Sequence, residues 1–127
     1  MSAERPAILA EVLAVTGVLS VALVDESGEV RAHDAREGLG FADAGPLVAS
    51  ALAASRVLGG FVGGGLRQSV IEYRGAPLVL TPLPSAPGSS ESATAGMVLA
   101  LRLASLADLG RLRFRLPRLL AQFANAT

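Results

Sequence analysis

The sequence predicts an α+β domain in which a five-stranded antiparallel sheet carries helices on both faces, in the element order αββαβββα. Two patterns indicate this fold: stretches in which side chains alternate between two faces, as in strands, and longer stretches in which apolar residues recur at helical spacing. The 127 residues are 51% hydrophobic and 17% charged, a composition that can bury a core. We therefore expect a single domain spanning residues 1–127.

The first third of the chain predicts one helix followed by two strands. Pro6 suits the first turn of a helix, and Gly17 can end that helix in a left-handed conformation. The stretch from Val18 to Val24 is apolar on both faces, which is typical of a central strand. A tight turn at Asp25–Gly28 leads into a strand around Val30 with one polar face, which we expect at an edge of the sheet.

The remaining strands follow a second helix. We expect that helix over 44–58, capped by Asp43 and ended by Gly59 and Gly60. Strands over 66–74 and 78–83 then form a hairpin, and the regular alternation over 97–103 predicts a fifth strand. The intervening stretch 84–95 is rich in Ser and Pro and contains no large hydrophobic residue, so we expect a flexible loop.

A last helix is expected from Leu109 onward. Ser105 and Asp108 precede it at a spacing similar to that of a capping box. Pro117 lies inside its apolar pattern, and a proline there removes one hydrogen-bond donor. We expect a kink or a restart of the helix at this position.

The helix predicted over 44–58 carries one charge, Arg56, and is otherwise apolar or small around its circumference. A helix without a polar face is normally covered on all sides, and a chain of 127 residues has little protein with which to do so. A second copy of the chain would cover it. An ordinary core helix whose outer face is Ala49, Ala53 and Arg56 is the alternative. The predicted dimer interface comprises Leu47, Val48, Ala51, Leu52 and Ser55 of the helix and Val70 and Tyr73 of the third strand.

Composition argues against several classes of function. Eleven basic residues balance eleven acidic ones, so no net charge attracts nucleic acid or an anionic membrane. The chain has no cysteine, which rules out disulfides and thiolate metal sites. The apolar stretch from Val12 to Val24 is too short to span a bilayer, and the amino terminus lacks the basic cluster of an export signal. We expect a cytoplasmic protein without cofactor, metal, nucleic-acid partner or membrane span.

Three features have a chemical interpretation beside a plainer one. His33 could act in a hydrolytic triad, although a lone histidine on an edge strand is usually just solvated. The run Gly63–Gly65 could hold a phosphate, but no lysine and no helix follow it, which favours a hinge. The arginines between Arg102 and Arg118 favour a solvated helix face, with an acidic protein surface as the alternative. We predict no catalytic residue.

The residues at the element junctions resemble the Roadblock family, the dynein light-chain-type domains that include bacterial gliding protein B. The resemblance is carried by Gly17-Val18, Asp25–Gly28, the small residues of the central helix, Glu72-Tyr73 and Leu109-Gly110, in this order along nearly the whole chain. It implies homodimers or heterodimers in which central helices pack together. It also implies that the third strands can join two five-stranded sheets.

The same resemblance implies a function. Bacterial members of the family commonly act on a small Ras-like GTPase, and the gliding-protein type accelerates GTP hydrolysis without inserting a catalytic residue. We therefore expect a non-enzymatic regulator or scaffold that pairs with itself or a paralogue and binds such a GTPase. The alternatives are a small-molecule sensor of similar layered shape, a purely structural dimeric adaptor and a hydrolase that uses His33.

Overall fold

The computed structural model describes residues 4–36, 41, 43–74, 76–83 and 97–126. The loop predicted over 84–95 lies outside these residues. The helices are α1 (Glu4–Leu13), α2 (Gly45–Val62) and α3 (Leu109–Ala126), and a short 3-10 turn at Leu106–Asp108 precedes α3. The strands are β1 (Val18–Val24), β2 (Val30–Ala35), β3 (Ser69–Glu72), β4 (Pro77–Pro82) and β5 (Val98–Leu103).

The five strands form one antiparallel sheet in the order β2-β1-β5-β4-β3. The last strand in the sequence, β5, therefore lies at the centre, where Ala100 faces Ala22 of β1 on one side and Leu80 of β4 on the other. β2 and β3 form the two edges. The predicted fold class and the predicted edge position of β2 are confirmed.

Helices cover both faces of the sheet. α1 and α3 pack on one face of the sheet. The core beneath them is built from side chains of the three inner strands, β1, β4 and β5. On the other face α2 inserts Val48 and Leu52 against apolar side chains of the same strands. The strand residues under α2 are Ala22, Val24, Leu80, Val98 and Ala100.

The turn between β1 and β2 is built around the carboxylate of Asp25. Its Oδ1 accepts hydrogen bonds from the hydroxyl and the backbone N–H of Ser27 at 2.6 and 3.0 Å and from the N–H of Glu29 at 3.0 Å. Arg31 pairs with its Oδ2 at 3.0 Å. These donors, the Ser27 hydroxyl first, lower the pKa of Asp25. The turn therefore depends on an ionised Asp25.

This turn also fixes where α2 begins. Gly28 has φ +90°, and a Cβ there would lie 2.8 Å from Cα of Pro46 in the first turn of α2. Only glycine allows both the conformation and the close approach. The predicted cap of α2, Asp43, is wrong: Ala44 occupies the capping position and makes no side-chain hydrogen bond.

The carboxyl end of α2 lies later than the sequence predicts. The helix continues through Gly59 and Gly60 to Val62 and ends at Gly63, which has φ 80°. The N–H groups of Gly63 and Gly64 donate to the carbonyl of Gly59 at 2.9 and 3.2 Å, which closes the last turn. Glycine lowers helix propensity but does not forbid a helix, and the first left-handed glycine is the one that ends it.

The last helix continues through the position where a restart was one of the two expected outcomes. Pro117 lies inside α3, which the structure describes as one helix without a restart. Before it, the hydroxyl of Ser105 accepts a hydrogen bond from the N–H of Ala107 at 3.1 Å, so the predicted cap holds the 3-10 turn rather than α3 itself. β3 is shorter than the strand predicted over 66–74. Residues 66–68, at the start of the predicted strand, belong instead to the connection that follows the glycine run.

Candidate functional site: the outer face of α2

The side of α2 that points away from the sheet is apolar and uncovered. Leu47 is 74% exposed at one end of the helix, and Phe61 is 83% exposed at the other. Ala54 lies midway between them on the same stripe, since residues seven apart face the same side of a helix. The outer face of α2, as the term is used below, comprises Leu47, Ala54, Val57, Leu58, Phe61 and Val62.

Two residues placed in the predicted interface face the opposite way. Val48 is 3% exposed and Leu52 is 4% exposed, because both pack against the sheet of their own protomer. Neither can contact a partner at its surface, so these two assignments need correction. The prediction counted both sides of the helix as interface. Val48 and Leu52 lie four residues apart and share the side that faces the sheet, whereas Leu47 lies on the solvent side.

The other predicted helix residues lie at the border between the two sides. Ala51 is half-buried against the core under α2, and Ser55 is also half-buried. The hydroxyl of Ser55 donates to the carbonyl of Ala51 at 2.9 Å and accepts from the hydroxyl of Ser69 at 2.9 Å. This link ties α2 to the start of β3 within one protomer.

The two predicted strand residues separate as well. Val70 packs against the core under α1 and α3, while Tyr73, just after β3, is 58% exposed. Among the described strands β3 pairs with β4 alone, so its outer edge is unpaired within the protomer. Of the predicted interface residues, Leu47 and Tyr73 are thus exposed, and Tyr73 directly follows the strand with the free edge.

Sequence reasoning missed the four most carboxyl-terminal members of the outer face, which are Val57, Leu58, Phe61 and Val62. Phe61 and Val62 lie beyond the predicted end of the helix. The spacing of Leu47, Ala54 and Phe61 by seven residues is the signal that could have found them.

α2 is also long and apolar enough, by composition alone, to cross a membrane: its 18 residues have a mean hydropathy of 1.4. It is the one such helix in the described part of the chain, and the core helix of a globular domain can meet the same criterion. Only 22% of α2 is buried, including Val48 and Leu52, which pack on the sheet, so most of its length is left exposed by its own domain.

The described residues contain no group of three or more His, Asp or Glu side chains that could hold a metal ion. His33 is exposed on β2, and within these residues no hydroxyl or carboxylate lies at hydrogen-bond distance from its ring. The geometry around His33 does not form a triad.

A cavity of about 730 Å³ opens between the carboxyl end of α2, the glycine run and α3. Its apolar wall includes Leu58 and Leu116. Two linked hydrogen bonds between polar side chains line it. Nε of Arg113 donates to Oε1 of Gln68 at 2.8 Å, and Nε2 of Gln68 donates to Oγ1 of Thr81 at 3.2 Å. The cavity is of ligand size but lies at the margin of the outer face of α2.

No protein-family profile matches the chain, and no curated protein matches it. Solved structures do. A Roadblock/LC7 domain from Streptomyces avermitilis is 21% identical with a TM-score of 0.72, covering 91% of this chain and 90% of that one. Gliding protein MglB from Thermus thermophilus is 23% identical with a TM-score of 0.74, covering 100% and 95%.

A further MglB structure, described as having a tetrameric arrangement, is 24% identical with a TM-score of 0.75, covering 98% of this chain and 90% of that one. TM-scores of this size over nearly the full length of each chain mean that these proteins share one fold. The protein therefore has the Roadblock fold, in the form shared by Roadblock/LC7 domains and the MglB gliding proteins.

Proposed function

We propose that this chain is a dimeric regulator or scaffold of a small Ras-like GTPase and contributes no catalytic residue of its own. The observation that carries the proposal is the uncovered apolar outer face of α2. Soluble monomers seldom expose a contiguous stripe of large apolar side chains, and such a stripe marks a protein contact. The second subunit of the dimer can be an identical chain or a paralogue.

The spacing on α2 favours an antiparallel pair of helices that cross at Ala54. Leu47 and Phe61 lie seven residues before and seven residues after it, so a two-fold axis at Ala54 places Leu47 of one copy against Phe61 of the other. The small side chains at the centre, Ser50 and Ala54, let the helix axes approach closely. Each large side chain covered contributes about 1.5–3 kcal/mol, against an association cost of about 4–15 kcal/mol.

The edge of β3 supports the same arrangement. β3 is an edge strand, and the hydrogen bond between Ser69 and Ser55 anchors its first residue to α2. Pairing of two β3 edges would add backbone hydrogen bonds between copies and protect an otherwise open strand edge. We propose that this pairing sets the register of the dimer.

The GTPase partner is proposed from the likeness in fold to the gliding proteins. The partner is best found by co-purification from the native host with analysis of the bound nucleotide. Adding this chain to that GTPase should raise its single-turnover hydrolysis rate by about tenfold or more, a barrier reduction of about 1.4 kcal/mol.

The Arg56→Gln variant serves as a control for a change on α2 outside the proposed contact, since Arg56 is exposed but lies off the outer face. It should accelerate hydrolysis as the natural chain does. Binding without any change in the hydrolysis rate would indicate an adaptor, and no binding to any GTPase would remove this part of the proposal.

The second candidate function is small-molecule sensing, which the cavity beside α3 favours. Its apolar wall and its Arg113–Gln68–Thr81 chain suit a ligand with an apolar body and an acidic group. A small molecule that co-purifies with the protein and is lost in the Arg113→Gln variant would support this function over GTPase regulation.

A further inference from the structure

The outward side of α3 combines exposed guanidinium groups with an exposed aromatic ring. Arg111, Arg115 and Arg118 are exposed on successive turns, on the side away from the sheet. Phe114 lies among them and is 70% exposed. These four residues are named the α3 basic face below.

The charge of this region is one-sided. From Val98 to the end of α3 the sequence contains five arginines and one acidic residue, Asp108, although the whole chain is neutral. Asp108 pairs with Arg111 at 3.3 Å. Within the described residues no acidic group pairs with Arg115 or Arg118. Neighbouring α1 exposes one described acidic side chain, Glu11.

The aromatic ring is held beneath a cation. The guanidinium carbon of Arg118 lies 5.8 Å from the centroid of the Phe114 ring. Such an arrangement keeps an apolar ring at the surface beside a charged group that can remain in a polar layer. An exposed aromatic ring beside arginines is a feature of surfaces that lie in a membrane interface, although the leucines of α3 are buried in the core.

We propose that the α3 basic face binds an anionic membrane surface. Anionic headgroups would neutralise Arg115 and Arg118, while Phe114 would enter the boundary of the acyl chains. An acidic protein surface would satisfy the arginines but leave Phe114 without an apolar partner, which makes it the less favoured occupant. Because α2 and α3 lie on opposite faces of the sheet, this binding leaves the outer face of α2 free and does not depend on the proposed function.

The test is sedimentation of the purified chain with vesicles of phosphatidylcholine containing about 30% phosphatidylglycerol, beside vesicles of phosphatidylcholine alone. We expect binding to the anionic vesicles that weakens at higher salt. The Arg115→Gln/Arg118→Gln variant should bind about 25-fold less, about fivefold for each arginine removed. Phe114→Ser should also bind less, while Arg56→Gln on α2 should bind as the natural chain does.

Equal binding to both kinds of vesicle would overturn the proposal, because it would point to the apolar outer face of α2 instead. No binding to anionic vesicles would overturn it as well. Retention on immobilised polyglutamate that is lost in the double variant, without vesicle binding, would assign the α3 basic face to an acidic protein. Circular dichroism of each variant checks that its fold is intact.

Discussion

The double variant Leu47→Glu/Phe61→Glu should be a folded monomer of about 12.9 kDa in solution. Both side chains are largely exposed in the protomer, 74% and 83%, so glutamate can replace them without entering the core. In the proposed dimer each becomes buried against the other copy, and a buried unpaired carboxylate costs several kcal/mol. The substitution therefore acts on association and not on folding. Light scattering coupled to gel filtration measures the mass.

Leu106→Glu is the matched control for this variant. Leu106 is also an exposed large hydrophobic residue, 44% accessible, but it lies in the 3-10 turn before α3, away from the outer face of α2. The control should keep the mass of the natural chain. If the α2 double variant had the same mass as the natural chain, the outer face of α2 would not be the contact.

Leu52→Ala should lower the free energy of unfolding by about 2–5 kcal/mol, the range for truncating a buried leucine. Leu52 is 4% exposed and packs with Leu80 and Ala100 under α2. The residues beneath it belong to hydrogen-bonded strands that cannot easily move into the space left behind, which favours the upper part of that range. Chemical denaturation followed by circular dichroism measures the change.

Leu47→Ala makes the same leucine-to-alanine truncation as Leu52→Ala, but on the exposed side of α2. In a monomeric background, prepared with Phe61→Glu, it should change the free energy of unfolding by less than about 0.5 kcal/mol. Equal destabilisation by the two leucine variants would contradict the described orientation of α2. This pair of variants separates the core role of Leu52 from the interface role that sequence reasoning gave it.

The element order and the edge position of β2 were predictable because they depend on local patterns. Alternation in Val18–Val24 and around Leu101 identifies inner strands, and Gly17 and Gly28 mark the ends that need positive φ. The order of the sheet was not predictable in this way. The central position of β5 depends on pairing between Ala22 and Ala100, which are far apart in the sequence.

The sequence identifies α2 as the helix without a polar face, but it does not identify which of its residues are exposed. The near absence of charge on α2 indicates a covered helix, but composition alone does not say which residues face the sheet. Val48 and Leu52 were therefore assigned to the wrong side. Phe61 and Val62 were missed because Gly59 and Gly60 suit the end of a helix, whereas the left-handed residue is Gly63.

The central claim is that a second copy of the chain covers the outer face of α2, with the two helices antiparallel and crossing at Ala54. The chain has no cysteine, so a single introduced cysteine reports one position. In that geometry two copies of Ala54 meet, whereas two copies of Leu47 lie about 21 Å apart along the helix axis, calculated from a rise of about 1.5 Å per residue. A disulfide requires Cα atoms within about 7 Å.

The most direct measurement is therefore disulfide formation under mild oxidation in the Ala54→Cys and Leu47→Cys variants, read by non-reducing electrophoresis. We predict a covalent dimer for Ala54→Cys, none for Leu47→Cys alone, and one for Leu47→Cys mixed with Phe61→Cys. A covalent dimer for Leu47→Cys alone would indicate parallel helices. No covalent dimer for any variant, with a mass of 12.9 kDa for the natural chain, would contradict the claim that a second copy covers α2.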